Sequence, residues 1–247
     1  MTSKQKIAID LYQERSIAQV LRSALTLSRH YPKLFLVLTV GVIVPYDLLA
    51  MAVGHRGLFG HAHHGFGLFT LTNAADVLII APFIAAASVN AVVVIGEGRR
   101  PRLSTTLACG PQVIAVVVAV QAINYLGIAV AALFLVVPGV LLGLRWCVAA
   151  VIAAVECNGV RGALKRSGEL AAGHYWHIFG LTVTVEAVAL VAALGVRLAT
   201  GDNSSGAGVA GLELIMQTIV ASYIGLTLSI LYFDLYARQR HDVTVED

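Results

Sequence analysis

Five ionisable side chains stand inside or at the edges of long apolar runs: Asp47, Asp76, Arg145, Glu186 and Glu213. A charge at membrane depth is costly, so such a group faces a bundle interior or a wet cavity and finds a partner there. Arg145 is the one cation of the five, and the order of the apolar runs places it in the same half of the bundle as Asp47 and Asp76. An intramembrane ion pair is therefore predicted, with Asp47 as first partner and Asp76 as second; it either specifies helix packing or lines a cavity for a headgroup or solute. Glu186 falls in mid-run with no cation at its depth, and hydrogen bonds to Asn90, Gln121 or Asn124 would lower its burial cost. His55, His61, His63 and His64 form a fourfold imidazole cluster suited to zinc, copper or nickel. Their loose spacing on a Gly-rich stretch without cysteine or carboxylate fixes no geometry, so they are weak metal candidates and no cofactor is expected. No G-x-S-x-G elbow, phosphate-binding P-loop or H-E-x-x-H motif occurs, and catalysis is not expected.

The elements that must hold these residues follow from composition. With 58% hydrophobic and 13% charged residues, the 247-residue chain has too little polar surface for a water-soluble domain, and a bilayer is its natural solvent. Apolar runs lie near 33–54, 74–96, 111–156, 175–199 and 209–236, and about 20 residues suffice for one crossing. The third run would make a helix about 69 Å long, twice what the bilayer core needs. Val137-Pro138-Gly139 supplies a break, predicting a hairpin of helices near 111–136 and 139–156.

Six crossings gather 14 of the 17 Lys and Arg residues on one side, which the positive-inside rule makes cytoplasmic. These are Lys4, Lys6, Arg15, Arg22, Arg29 and Lys33; Arg99, Arg100 and Arg102; Arg161, Lys165 and Arg166; and Arg238 and Arg240. Five crossings would put the Arg161 to Arg166 cluster on the wrong side. Before the first crossing, Ile17, Val20, Leu21, Ala24, Leu25 and Tyr31 share one helical face, with Arg15, Arg22 and Arg29 at seven-residue spacing on the other. That pattern predicts an amphipathic helix on the inner membrane surface. Asp10 and Glu14 precede the first apolar run, unlike a cleaved signal peptide. Cys109, Cys147 and Cys157 read as packing residues.

The predicted fold is thus all-α: a cytoplasmic N-terminus with an amphipathic surface helix over 1–32, a polytopic bundle of six transmembrane helices over 33–236, and a cytoplasmic tail over 237–247. The basic residues sit in short clusters beside apolar runs, with no separate face for nucleic acid. Arg15, Arg22, Arg29, Arg161, Lys165 and Arg166 are the candidates for binding anionic lipid headgroups of the phospholipid bilayer.

The segment Glu156-Cys157-Asn158-Gly159-Val160-Arg161-Gly162-Ala163-Leu164-Lys165-Arg166-Ser167-Gly168-Glu169-Leu170, then Gly173-His174-Tyr175-Trp176-His177-Ile178-Phe179-Gly180, resembles a bacterial membrane family. It is similar to the membrane domain attached to some glycerophosphodiester phosphodiesterases, a domain that also occurs as free-standing multi-pass proteins. Pro138-Gly139, Arg145-Trp146 and Leu231-Tyr232-Phe233-Asp234-Leu235 carry the same resemblance. It implies a module of the bacterial cytoplasmic membrane that handles or senses lipid, without the hydrolase barrel. The expected role is non-enzymatic binding or organisation of phospholipid, as an accessory to lipid metabolism or membrane homeostasis, with a lipid enzyme as partner and a homo-oligomer compatible. The alternatives are a permease subunit of an exporter working with a separate ATPase, and a metal-handling membrane protein.

Overall fold

A computed structural model describes residues 13–52, 66–99, 111–134, 136–156, 159–200 and 207–246, and among them every element is a helix. The first begins where its sequence provides a cap. Ser16 is extended, its hydroxyl accepts from the Gln19 N–H, and the Gln19 side chain accepts from the Ser16 N–H at 2.8 Å. This reciprocal box satisfies two donors that a helix start leaves bare. Helix α1 then runs Ile17–His30, burying Val20, Ala24 and Leu27 and exposing Arg22 and Arg29. Arg15 departs from expectation. It precedes the cap and so lies off the helical lattice, and it is buried rather than on the polar face.

After α1 come α2 (Pro32–Ala52), α3 (Phe66–Gly96), α4 (Pro111–Phe134), α5 (Val136–Arg145), α6 (Ala149–Glu156), α7 (Gly159–Ala171), α8 (Tyr175–Thr200) and α9 (Ala207–Glu246). Three boundaries differ from the sequence reading. Helix α3 starts at Phe66, ahead of the apolar run near 74–96, so Asp76 lies well inside the helix and not at its edge. In the α4–α5 hairpin, 137–139 are helical residues of α5 and do not form the turn. Pro138 sits in the first turn of α5, where an absent N–H leaves no intrahelical bond unmade. Helix α9 continues to Glu246, through most of the segment expected as a tail.

Small residues set the hairpin's spacing. A Cβ on Gly127 would stand 2.7 Å from the Trp146 ring, and one on Gly143 would touch Ile128 at 3.5 Å. Past Arg145 the chain tightens for one turn, Ala149 N–H donating to Trp146 O at 3.1 Å, and continues as α6. Residues Ala149 to Ala154 of α6 are all buried among α3, α4 and α7. Gly173 (φ +82°) stands between α7 and α8 in a conformation that suits glycine.

Among the described residues, three helical stretches are long and apolar enough to cross a membrane: Val137–Glu156, Tyr175–Val196 and Thr218–His241. A fourth is reached if Ile17–His30 and Pro32–Pro45 count as one span, although these two are bent by 98° at Tyr31. The stretches differ in what surrounds them. Thr218–His241 is 78% buried, at the centre of the bundle, whereas Tyr175–Val196 is 17% buried and turns Val183, Val188 and Val191 outward. Helix α4 likewise exposes Ile114, Val118 and Leu126. Apolar faces of this extent need a partner other than water.

Candidate functional site

Polar side chains collect where the start of α1, the end of α6, all of α7, the first turn of α8 and the late part of α9 meet. Its centre is Asp234, fully buried on α9. The Arg15 main-chain N–H donates to Asp234 Oδ1 at 2.5 Å. Arg238, one turn further along α9, donates from Nε to Oδ2 at 3.0 Å and from Nη2 to the Arg15 carbonyl at 2.7 Å. His177 Nε2 lies 3.0 Å from the same Oδ2, at an angle short of a straight hydrogen bond. Carboxylate and guanidinium together therefore grip both main-chain polar groups of residue 15. Nearby, Gly180 lacks the Cβ that would meet Ile17 at 3.0 Å, and Tyr223 donates its hydroxyl proton to the Leu21 carbonyl at 3.2 Å, so α1 is held along its length.

A second network joins α6, α7 and α9. Tyr232 donates to Glu156 Oε1 at 2.9 Å, and Arg166 lies 4.0 Å from Glu156 and 3.5 Å from Glu169. The Arg166 and Arg240 guanidiniums stand 5.8 and 6.0 Å from the Tyr236 ring centroid, within range of its negative face. Because Arg166 is shared between two carboxylates and a ring, it is a structural cation, and Arg15 is likewise enclosed. The exposed members of the predicted headgroup set are Arg22, Arg29, Arg161 and Lys165. Lys165 makes only a loose 3.9 Å pair with Glu169, the kind of surface pair that contributes little.

Arg145 is exposed, its side chain lying across Gly168 of α7, where a Cβ would come within 2.8 Å of Nε. Ser167 donates to the Arg145 carbonyl at 2.9 Å, fixing α7 against the end of α5. No carboxylate among the described residues pairs with Arg145. The side chains of its predicted partners Asp47 and Asp76, and that of Glu213, lie outside the described part of the structure, as do His55, His61, His63 and His64. Glu186 is half-buried on α8 and has no hydrogen-bond partner among the described residues. Of its suggested partners, Gln121 instead donates to Tyr125 at 2.9 Å, and Gln121 Oε1 and Asn124 Oδ1 are buried on α4 without a partner among the described residues. No group of three metal-ligating side chains occurs among the described residues.

The sequence reading did not single out Asp234, His177 and Arg238 as a site. The signal was present: a lone carboxylate in the apolar run Leu231 to Leu235, with arginine four residues on, is a helix-face ion pair in need of burial. Comparison with protein families, curated proteins and solved structures finds no match to this chain. The class is therefore set by the architecture: the described residues are helical throughout their regular structure and include three to four apolar helices of membrane-spanning length, such as membrane proteins carry.

Proposed function

We propose that the chain is a non-enzymatic, six-span protein of the bacterial cytoplasmic membrane that binds and organises anionic phospholipid at its cytoplasmic face. The observation that carries this reading is the placement of exposed Arg22 and Arg29 on α1, and Arg161 and Lys165 on α7, while both helices bury an apolar face. If α2 crosses the bilayer, the 98° bend at Tyr31 lays α1 close to the membrane plane. Trp176, 86% exposed at the start of α8, marks the same level as an interfacial aromatic.

Each basic residue near an anionic surface contributes about 1 kcal/mol before screening. Converting Arg22, Arg29, Arg161 and Lys165 to glutamine together is expected to lower co-purifying anionic lipid by at least about tenfold, read by mass spectrometry of the extracted lipid. An unchanged lipid profile in a folded variant would sink the reading. The topology has its own test. Cysteine placed at exposed Lys165 should react with an impermeant maleimide only in opened cells; labelling of intact cells would reverse the orientation.

A further inference from the structure

On α7, positions 161, 165 and 168 lie within one narrow stripe, because steps of four and three residues return nearly to the same helical angle. Arg161 and Lys165 occupy the first two and are exposed. At the third the chain has glycine, and the space is filled from another helix: the Arg145 side chain lies over Gly168, with the position of a Cβ 2.8 Å from its Nε and 3.4 Å from its Nη2. The stripe is thereby a row of three cations built from two elements, about 10 Å from end to end. Among the described residues Glu169 is the carboxylate beside it, and Lys165 and Arg166 already share it at 3.9 and 3.5 Å. Arg145 and Arg161, at the two ends, have no carboxylate partner among the described residues.

We infer that Arg145, Arg161 and Lys165 form a single site for a dianionic phosphomonoester headgroup, with Gly168 conserving the space that brings Arg145 into line. The inference rests on the lipid reading above and narrows it to a headgroup class. Two uncompensated guanidiniums flanking an ammonium match two negative charges better than one, and guanidinium forks suit the oxygens of a terminal phosphate. The α7 part of the site lies just before Gly173 and exposed Trp176, and an interfacial aromatic there favours a lipid over a soluble anion.

The purified full-length protein is incubated in detergent with equal amounts of phosphatidic acid, phosphatidylglycerol and phosphatidylcholine, and retained lipid is counted by native mass spectrometry. Wild type should retain phosphatidic acid over phosphatidylglycerol. Arg145→Gln and Gly168→Ala should each reduce that ratio by about tenfold, as should Arg161→Gln at an exposed position where folding is not at stake, while Arg22→Gln with Arg29→Gln should lower both lipids and leave the ratio. An unchanged ratio in folded Arg145→Gln and Arg161→Gln overturns the site while leaving the broader lipid reading intact. Absence of any anionic preference in wild type overturns both. Displacement of the lipid by millimolar inorganic phosphate overturns the lipid assignment in favour of a soluble phosphate.

Discussion

Alanine in place of Asp234 should destabilise the folded protein by roughly 3–5 kcal/mol, the cost of removing one partner from a buried charge pair. The substitution would strip Arg238 of its counter-ion and leave the Arg15 N–H without its acceptor in an enclosed space. Asparagine should cost less, because its side-chain oxygen still accepts from Arg15, yet it loses the charge opposite Arg238. Arg15→Ala is the informative contrast. Since the bonds from Asp234 and Arg238 reach the main chain of residue 15, that variant should retain the clamp and lose only what the buried Arg15 side chain itself contributes. Thermal unfolding of the detergent-solubilised variants, followed by loss of monodisperse protein, gives the order directly. Equal loss in Arg15→Ala and Asp234→Ala would show that the side chain, and not the backbone, is what the site holds.

Gly225→Ala is expected to disrupt the bundle where its two most extensively packed helices meet. A Cβ at 225 would stand 2.4 Å from Ile84 Cγ2, 2.8 Å from Ile84 Cβ and 3.1 Å from the Ala85 main-chain nitrogen. Rotation of Ile84 relieves only the first of these, so α3 and α9 must separate, straining the Ser229 to Ala85 carbonyl bond of 3.1 Å. Overpacking of this kind costs about 1–3 kcal/mol. Ile84→Ala should restore part of the loss in the double variant, a coupling that a cycle of the four proteins measures. Gly195→Ala, with nothing within 4 Å of the added atom, is the control and should be neutral or mildly stabilising. A Gly225→Ala protein as stable as wild type would mean that α3 and α9 are not in this register.

What the sequence revealed and what it hid divide along a physical line. Long apolar runs are unambiguous, so α2, α8 and the hairpin nature of 111–156 were legible from length and from Pro138-Gly139. The hairpin's true turn was not, because a proline in the first turn of a helix and one just past its end look alike in sequence. Periodicity placed Val20 and Ala24 on the buried face of α1 but omitted buried Leu27, included exposed Leu25 and carried Arg15 onto the lattice as well, since nothing in a seven-residue spacing marks Ser16 as the cap that ends it. The exposed cations Arg22, Arg29, Arg161 and Lys165 were found by charge alone. Arg145 was read by its depth along the chain, which cannot show that a glycine on a helix more than twenty residues later is shaped to receive it. The Asp234 clamp joins residues 219 apart in sequence, and no local pattern encodes such a meeting.

That separation also imposes a timetable. At typical synthesis rates of about 5–20 residues per second, residue 234 emerges roughly 10–45 s after residue 15. Throughout that interval α1 exists without the carboxylate, the guanidinium or the Tyr223 hydroxyl that will hold it, while Val20, Ala24 and Leu27 have no partner from α9 to cover them. Of the described helices packed against it, only α2 and α8 are on hand by then, so this capped, two-faced helix waits with much of its apolar face uncovered. The first element of the chain is thus the last to be seated, and completion of the bundle coincides with arrival of its C-terminal helix.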